Sequence, residues 1–169
     1  EKIQAKQISK IAINLSKIFK LTLNDGNHIT SVKNEMEQVK SYLYIQNIRF
    51  DNKIHFTVTI EPEIMDESII KLLLQPIVEN SVYHGLEHQE SGTIMIEGKM
   101  VEDGLLFIIR DTGKGFDMNE VDINKKGYAL KNINERLKLY YGKKYGLKIE
   151  SEVGKGTIVY LKVGLKNDG

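Results

Sequence analysis

The chain has 169 residues, enough for one compact domain, or one domain with a helical appendage, and for a sizeable core. Its 24 Lys and Arg balance 23 Asp and Glu, and this net charge of +1 gives no overall field favouring nucleic acid or anionic membranes. Hydrophobic residues at 41% and charged residues at 28% exclude a disordered or collagen-like chain. The absence of cysteine excludes disulfides, thiolate zinc sites and a cysteine nucleophile.

The sequence also limits where the chain is expected to reside. Its apolar stretches are too short or too interrupted to span a bilayer, and no signal-peptide pattern opens it. We therefore expect a soluble, cytoplasmic chain that contacts a membrane only through segments it does not contain. Because the chain begins at Glu1 rather than Met, we expect it to be part of a longer protein.

The N-terminal part has the periodicity of two helices. Apolar residues recur at three- and four-residue intervals over residues 8–19, and a second helical pattern runs over residues 31–48. A polar turn cluster at residues 24–27 separates them. Two helices joined by a short turn predict a helical hairpin.

The rest of the chain alternates strand and helix patterns. Apolar residues at every second position predict strands at residues 54–60, 93–100, 105–110, 147–151 and 157–163, the last four as two antiparallel hairpins. An unusually apolar stretch at residues 66–88 predicts a helix buried on most sides, with a kink or a loosened turn at Pro76. Residues 128–141 predict another helix, and the polar residues 117–126 before it predict a mobile loop.

Four polar side chains lie close together in residues 75–85. In a helix, Glu79, Asn80, Tyr83 and His84 fall within about one and a half turns, and Asn80 shares a face with His84. An asparagine carbonyl can ligate Mg²⁺, and an imidazole can donate to a phosphate oxygen. The alternative is an ordinary helix C-terminus that ends in a glycine cap.

A second polar segment, residues 111–116, follows a predicted strand. Asp111 is an acceptor-only carboxylate beside Gly113 and Gly115, which allow a ligand to approach the backbone closely. An aspartate in this position can accept an amino hydrogen from a purine. The alternative is a tight turn in which the aspartate caps its own backbone.

Glycines also mark two segments nearer the C-terminus. Gly127 leads into a predicted helix whose first N–H groups can bind phosphate, with positive charge from Lys125, Lys126 and Arg136 nearby. The alternative is a helix start that follows a solvated loop. Residues 154–157 would, in isolation, be only a hairpin turn.

Together and in this order, the four segments resemble the nucleotide-binding fold of histidine kinases, gyrase, Hsp90 and MutL, called the Bergerat or GHKL fold. Residues 75–85 look like its N box, 111–116 like its G1 box, 127–130 like its G2 box, and 154–157 like its last glycine turn. Within that superfamily, residues 42–50 and 74–80 resemble the LytS/YesM type of sensor histidine kinase.

The resemblance implies a fold and a division of the chain. The fold is α+β, a two-layer α/β sandwich with an N-terminal helical hairpin. Residues 1–50 would be a helical remnant of the dimerisation and phosphoacceptor region, and residues 51–169 the ATP-binding catalytic domain.

The resemblance also implies an activity and partners. The chain would be the cytoplasmic catalytic part of a two-component sensor histidine kinase, transferring the γ-phosphoryl group of Mg²⁺-ATP to a histidine. Its partners would be the phosphoacceptor region of a chain of the same family, in a homodimer, and a response regulator that receives the phosphoryl group. The full-length protein would lie in the bacterial cell membrane.

Individual roles follow by matching residues to the family motifs. Asn80 matches the Mg²⁺-binding asparagine and is expected to be catalytic together with Glu79, and Asp111 matches the aspartate that recognises the adenine amino group. Residues 117–126 would be the ATP lid. The residues expected to bind ATP are Asn80, Tyr83, His84, Asp111, Gly113, Gly115, Phe116, Lys125, Gly127, Tyr128, Ala129, Leu130, Arg136, Gly156 and Thr157.

The chain departs from the family pattern at three positions. Tyr83 stands where the family usually has a phosphate-contacting lysine, and Ala129 replaces a glycine of the G2 box. Both leave open a degenerate nucleotide-binding or dimerisation module without kinase activity. Pro76 occupies the place of the general-base glutamate of hydrolysing members, which disfavours an ATPase or a protein-serine kinase.

The histidines bear on the substrate of the expected reaction. The four in the chain are His28, His55, His84 and His88, and none matches the family's phosphoacceptor pattern. We therefore expect the substrate histidine to lie outside this chain.

Overall fold

A five-stranded mixed sheet with helices on one face organises the structure, a computed structural model that describes residues 2–23, 26–86, 90–118 and 128–165. The helices are α1 (Lys2–Leu23), α2 (Val32–Arg49), α3 (Gln75–Asn80), which continues into a π-helical turn (Ser81–Leu86), and α4 (Tyr128–Tyr141). The strands are β1 (Ile29–Ser31), β2 (Ile54–Ile60), β3 (Ser68–Ile70), β4 (Gly92–Val101), β5 (Gly104–Asp111), β6 (Gly146–Glu152) and β7 (Gly156–Val163).

The main sheet has the strand order β2-β4-β5-β7-β6. Strands β2 and β4 are parallel, and the other neighbours pair antiparallel. A separate two-stranded sheet pairs β1 with β3. The order places the end of β5 beside the start of β7, because Asp111 pairs with Thr157.

The hydrophobic core lies between the sheet and the helices, because every second residue of a strand points toward the helices. Leu105, Phe107 and Ile109 of β5 are buried toward the helices, as the period of two requires. Val39 of α2 and Ile77 of α3 belong to the same hydrophobic cluster. Helix α2 is therefore packed into the same core as the sheet, and the predicted two-layer α/β fold is confirmed.

Most predicted elements agree with the structure to within a few residues. The strands and the two hairpins are confirmed, and so are the helical hairpin and the helix at residues 128–141. Ser31 caps α2 by accepting a hydrogen bond from the backbone N–H of Asn34 at 3.2 Å. Residues 24–25 of the predicted turn and 119–126 of the predicted loop lie outside the described residues.

The helix predicted for residues 66–88 is wrong over its first half. Ser68–Ile70 form β3 and pair with β1, so this apolar run is buried as a strand. Pro76 lies in the first turn of α3, where its missing N–H is tolerated, and it does not kink a longer helix.

The turn before α3 is held by one buried carboxylate, that of Glu35 on α2. Its Oε2 accepts from the N–H of Leu72 at 3.0 Å, and its Oε1 accepts from Leu73 at 2.9 Å and Leu74 at 3.0 Å. Burial raises the pKa of Glu35, and these backbone N–H groups oppose that rise. Leu72 has a φ of +57°, which costs a non-glycine residue about 1–2 kcal/mol. The carboxylate therefore stabilises a turn that the sequence alone would not favour.

Helix α1 contacts α2 on one side and exposes an apolar stripe on the other. Ile8, Leu15, Phe19 and Leu23 are all exposed and follow the helical period. Among the described residues, no helix combines the length and apolar character required to cross a bilayer.

The substitution Glu35→Gln tests whether this carboxylate stabilises the turn before α3. The amide keeps one acceptor oxygen but places an NH₂ group against at least one backbone N–H, so we expect the free energy of unfolding to fall by about 1–3 kcal/mol. Urea denaturation measures this difference. The control Glu37→Gln changes an exposed carboxylate on the same helix, and we expect an effect within about 0.5 kcal/mol. Equal losses in the free energy of unfolding for the two variants would contradict this role of Glu35.

Candidate functional site

Three segments that are distant in sequence meet at one end of the main sheet. They are the end of β5 with the loop after it, the π-helical turn, and the start of β7. The backbone N–H of Lys114 donates to the carbonyl of Gly85 at 3.1 Å, which joins the first two segments. Thr157 N–H donates to Asp111 Oδ1 at 3.2 Å, which joins the third. Asp111 therefore lies where all three converge.

Asp111 is a buried carboxylate that keeps acceptor capacity. Its Oδ1 accepts from the N–H groups of Gly113, at 2.9 Å, and Thr157. Burial raises its pKa, whereas hydrogen bonds from Gly113, Ser81 and Thr157 act in the opposite direction. A carboxylate offers about four acceptor sites, so the two backbone donors on Oδ1 and the Ser81 side chain leave capacity for a further donor.

Two backbone segments touch beside this carboxylate, and the contact requires glycine. A Cβ atom on Gly113 would collide with Cα of Gly85 and would lie 2.7 Å from Asp111 Oδ1. Gly115 has a φ of +59°, the left-handed region that glycine enters without strain. The result is a floor of bare backbone next to an acceptor, a shape that suits a flat ring carrying an amino group.

The end of α3 brings the predicted N-box residues to the same region. Asn80 is the last residue of α3 and is partly exposed, and Glu79 accepts a hydrogen bond from Gln75 Nε2 at 2.7 Å. The helix then widens into a π-helical turn, a feature that is frequent at functional sites. The backbone of His84 lies in this turn.

Tyr83 lies on the face of the π-helical turn that meets α2. Its hydroxyl accepts from Arg49 at 3.0 Å, and the guanidinium lies 5.5 Å from the centre of its ring. The structure thus joins Tyr83 to α2, and its predicted contact with ATP stays a prediction.

The other predicted ATP-binding residues lie around the same end of the sheet or along α4. Phe116 N–H donates to Ser151 Oγ at 3.0 Å, and Gly156 packs against the backbone of Asp111. Tyr128, Ala129 and Leu130 form the first turn of α4. Lys125 and Gly127 lie outside the described residues.

Arg136 binds the turn before α3. Its guanidinium donates to the carbonyls of Lys71, at 2.6 Å, and Leu72, at 3.3 Å. Arg136 and Glu35 therefore hold the two sides of the same turn, one through its carbonyls and one through its N–H groups. The predicted contact of Arg136 with ATP is untested.

Sequence reasoning missed a polar stripe on α2. Its members follow the helical period, and they are Glu35, Gln38, Tyr42, Gln46 and Arg49. Glu35 and Gln38 contact the turn before α3 or its first residue, and Arg49 contacts Tyr83. Burial, followed by the nearby Glu79 carboxylate, raises the pKa of Tyr42. Their spacing of three and four residues was a readable signal, since polar side chains repeating at helical spacing beside an apolar face indicate a second contact surface.

Two family models match the chain. A model described as "Histidine kinase" matches residues 1–54, and one described as "Histidine kinase-, DNA gyrase B-, and HSP90-like ATPase" matches residues 65–167. Sensor histidine kinase YesM of Bacillus subtilis is 32% identical over 98% of this chain and 29% of its own length. Sensor protein kinase HptS of Staphylococcus aureus is 26% identical over 96% of this chain and 33% of its own. The chain thus spans about a third of the length of these relatives.

Solved structures share the fold. The histidine kinase domain of a blue-light activated kinase from Erythrobacter litoralis aligns with a TM-score of 0.60 at 17% identity, covering 94% of this chain and 75% of that one. Histidine kinase AdeS of Acinetobacter baumannii aligns with a TM-score of 0.62 at 14% identity, covering 97% and 81%. At these identities the likeness establishes the fold alone.

The raised pKa of Asp111 predicts how the stability of the protein depends on pH. Because burial raises its pKa above the ordinary 3.8, ionising this carboxyl costs more in the folded than in the unfolded chain. Its contribution to stability is therefore largest below pH 3.8 and is lost as pH rises through the folded pKa. We expect Asp111→Asn to gain stability relative to the parent as pH rises from about 4 to 7. Urea unfolding of both proteins across this range measures the difference, and a constant or shrinking gain would contradict the assignment.

Proposed function

Because the chain belongs to the histidine kinase-, DNA gyrase B- and HSP90-like ATPase family, we propose that it binds Mg²⁺-ATP and transfers the γ-phosphoryl group to a histidine outside the chain. One observation carries this proposal: the buried Asp111 acceptor lies against the bare backbone contact of Gly85 and Gly113. Kinase identity is further supported by the two family models and by the sensor kinases among the relatives.

The geometry around Asp111 suits recognition of adenine. An ionised carboxylate only accepts hydrogen bonds, so Oδ2 pairs with the amino group of adenine and not with the carbonyl oxygen that guanine or hypoxanthine carries there. The Cβ direction of Gly113 is filled by the backbone of Gly85, so a ring that pairs with Oδ2 would lie beside two backbone segments that carry no side chain. The Thr157 N–H fixes the carboxylate from the other side. Adenine specificity therefore follows from one acceptor in a fixed orientation.

The donor set also suits a magnesium ion that arrives with the nucleotide. No group of three or more His, Asp or Glu capable of holding a metal occurs among residues 2–23, 26–86, 90–118 and 128–165. Mg²⁺ commonly binds one or two protein oxygens together with substrate phosphates and waters. The Asn80 carbonyl is our proposed protein ligand, and the ion would neutralise phosphate charge.

The proposed reaction requires little covalent chemistry from the side chains of this protein. A neutral imidazole is already a nucleophile, so phosphoryl transfer to histidine requires positioning and charge neutralisation more than a strong base. We assign positioning to Asn80 and Glu79, and phosphate contacts to the N–H groups at the start of α4. The segment 117–126 is our proposed lid.

The helices suit an assembly of two copies. The exposed stripe of Ile8, Leu15, Phe19 and Leu23 on α1 can be buried against the same stripe of a second chain. We propose that residues 1–50 contribute to a homodimer, that residues 51–169 form the catalytic unit, and that a response regulator receives the phosphoryl group. We place this chain in the cytoplasm and the longer protein in the bacterial cell membrane.

A second candidate function follows from the position of Tyr83. Its hydroxyl is engaged by Arg49 on α2, and the chain has no lysine at this position to contact phosphate. A degenerate nucleotide-binding or dimerisation module would have the same fold and would bind nucleotide weakly or not at all.

Asp111→Asn tests adenine recognition. We expect the parent to bind ADP with micromolar to submillimolar affinity and the variant to bind at least about 30-fold more weakly, because the new NH₂ group faces the adenine amino group. Calorimetric titration with ADP and with GDP measures both affinity and base preference. Asp66→Asn, at an exposed aspartate remote from the site, serves as the control. Equal ADP affinity in the parent and in Asp111→Asn would overturn the adenine assignment.

A further inference from the structure

Side chains from three helices form a continuous hydrogen-bonded chain that ends on Glu79. Gln38 Nε2, on α2, donates to Thr22 Oγ1 on α1 at 2.9 Å and to Gln75 Oε1 at 2.7 Å. Gln75 Nε2 then donates to Glu79 Oε1 at 2.7 Å. We call Thr22, Gln38, Gln75 and Glu79 the glutamine relay.

The charge of Glu79 fixes the direction of the relay. An ionised carboxylate can only accept, so Gln75 must present its NH₂ group to Glu79. The carbonyl oxygen of Gln75 then points toward α2, where it requires a donor, and the NH₂ group of Gln38 supplies one. Each amide has one productive orientation, so the four side chains are ordered as a set.

The backbone around the relay is held in place independently. Glu35, one helical turn before Gln38, binds the N–H groups of the three residues that precede Gln75. Arg136 on α4 binds carbonyls of the same turn. Gln38 is itself 2% exposed, so its amide is shielded from competing water. The relay thus joins two fixed elements and leaves Glu79 as its partly exposed end.

Glu79 lies one residue before Asn80, at the end of α3. We propose that Gln38 and Gln75 are positioning residues for phosphoryl transfer, which orient the Glu79 carboxylate beside Asn80 and fix it relative to α1 and α2. This inference rests on the proposed function, because it assigns a role in that reaction. Neither glutamine touches the nucleotide in this account; both act through Glu79.

A variant that swaps the two end groups separates orientation from simple stability. In Gln75→Glu/Glu79→Gln, the new carboxylate accepts from Gln38 and from the new amide, so both hydrogen bonds and the net charge are kept. The carboxylate, however, moves one helical turn away from Asn80. We expect a thermal midpoint within about 3 °C of the parent. We also expect kcat for transfer to fall at least tenfold while KM for ATP changes less than twofold.

Two single substitutions complete the design. Gln75→Met removes the two relay hydrogen bonds that Gln75 makes, at similar side-chain volume, and we expect about a tenfold loss in kcat with KM for ATP within twofold. Gln46→Met is the control, because Gln46 is a buried glutamine on α2, the helix that carries Gln38, and lies outside the relay; we expect its kcat to stay within twofold. The assay follows [γ-³²P]ATP transfer to a separately purified phosphoacceptor helical region of a sensor histidine kinase.

The possible outcomes distinguish a failure of the glutamine relay hypothesis from a failure of the proposed function. Parent kcat in the swapped variant, or equal losses in Gln75→Met and Gln46→Met, would overturn the relay while leaving the kinase assignment intact. A folded parent that neither binds ATP nor transfers its phosphoryl group would overturn the proposed function, and the relay's assigned role with it. A loss confined to kcat, in both the swapped variant and Gln75→Met, supports the relay.

Discussion

The structure depends on one buried interaction, in which the Glu35 carboxylate binds three consecutive backbone N–H groups before α3. Those groups would otherwise be unsatisfied donors in an apolar interior, at a turn where Leu72 takes a left-handed conformation. Because these N–H groups are bound, β3 can end at Ile70 and α3 can begin at Gln75 after a short turn. A single carboxylate on α2 therefore sets where the N-box helix starts, and with it where Asn80 lies.

The proposed nucleotide site depends on a second constraint, the backbone contact between Gly85 and Gly113 beside Asp111. Only glycine permits the approach of Gly85 to Gly113, and that approach joins the end of α3 to the end of β5. The Glu35 hydrogen bonds fix the start of the helical segment made of α3 and the π-helical turn, and the contact between Gly85 and Gly113 fixes its end. The proposed adenine site lies at one end and the α2 polar stripe at the other, with Asn80 between them. This explains how a short helix can hold a precise site without a large core of its own.

The sequence predicted what local pattern and turn chemistry encode. Alternation predicted the main strands, and the order of Asn80, Asp111 and the glycine segments indicated the fold and the site. The strand at Ser68–Ile70 was missed because its apolar residues also suit a helix, and its partner Ile29–Ser31 lies far away in sequence. The roles of Glu35, Gln38 and Gln75 depend on nonlocal contacts, which no periodicity specifies, although the spacing of Glu35 and Gln38 on α2 signals a polar face. Residues 119–127, including Lys125 and Gly127, lie outside the described structure and keep their predicted roles as proposals.

Radiolabel transfer tests most directly whether this chain transfers a phosphoryl group to histidine. The parent chain and Asn80→Asp are each mixed with a separate phosphoacceptor helical region and [γ-³²P]ATP. We expect acid-labile, alkali-stable label on the acceptor with the parent, reduced at least about tenfold in Asn80→Asp because Mg²⁺ placement is disturbed. Release of free phosphate without labelled histidine would contradict phosphoryl transfer to histidine, and equal labelling by the two proteins would contradict the role of Asn80.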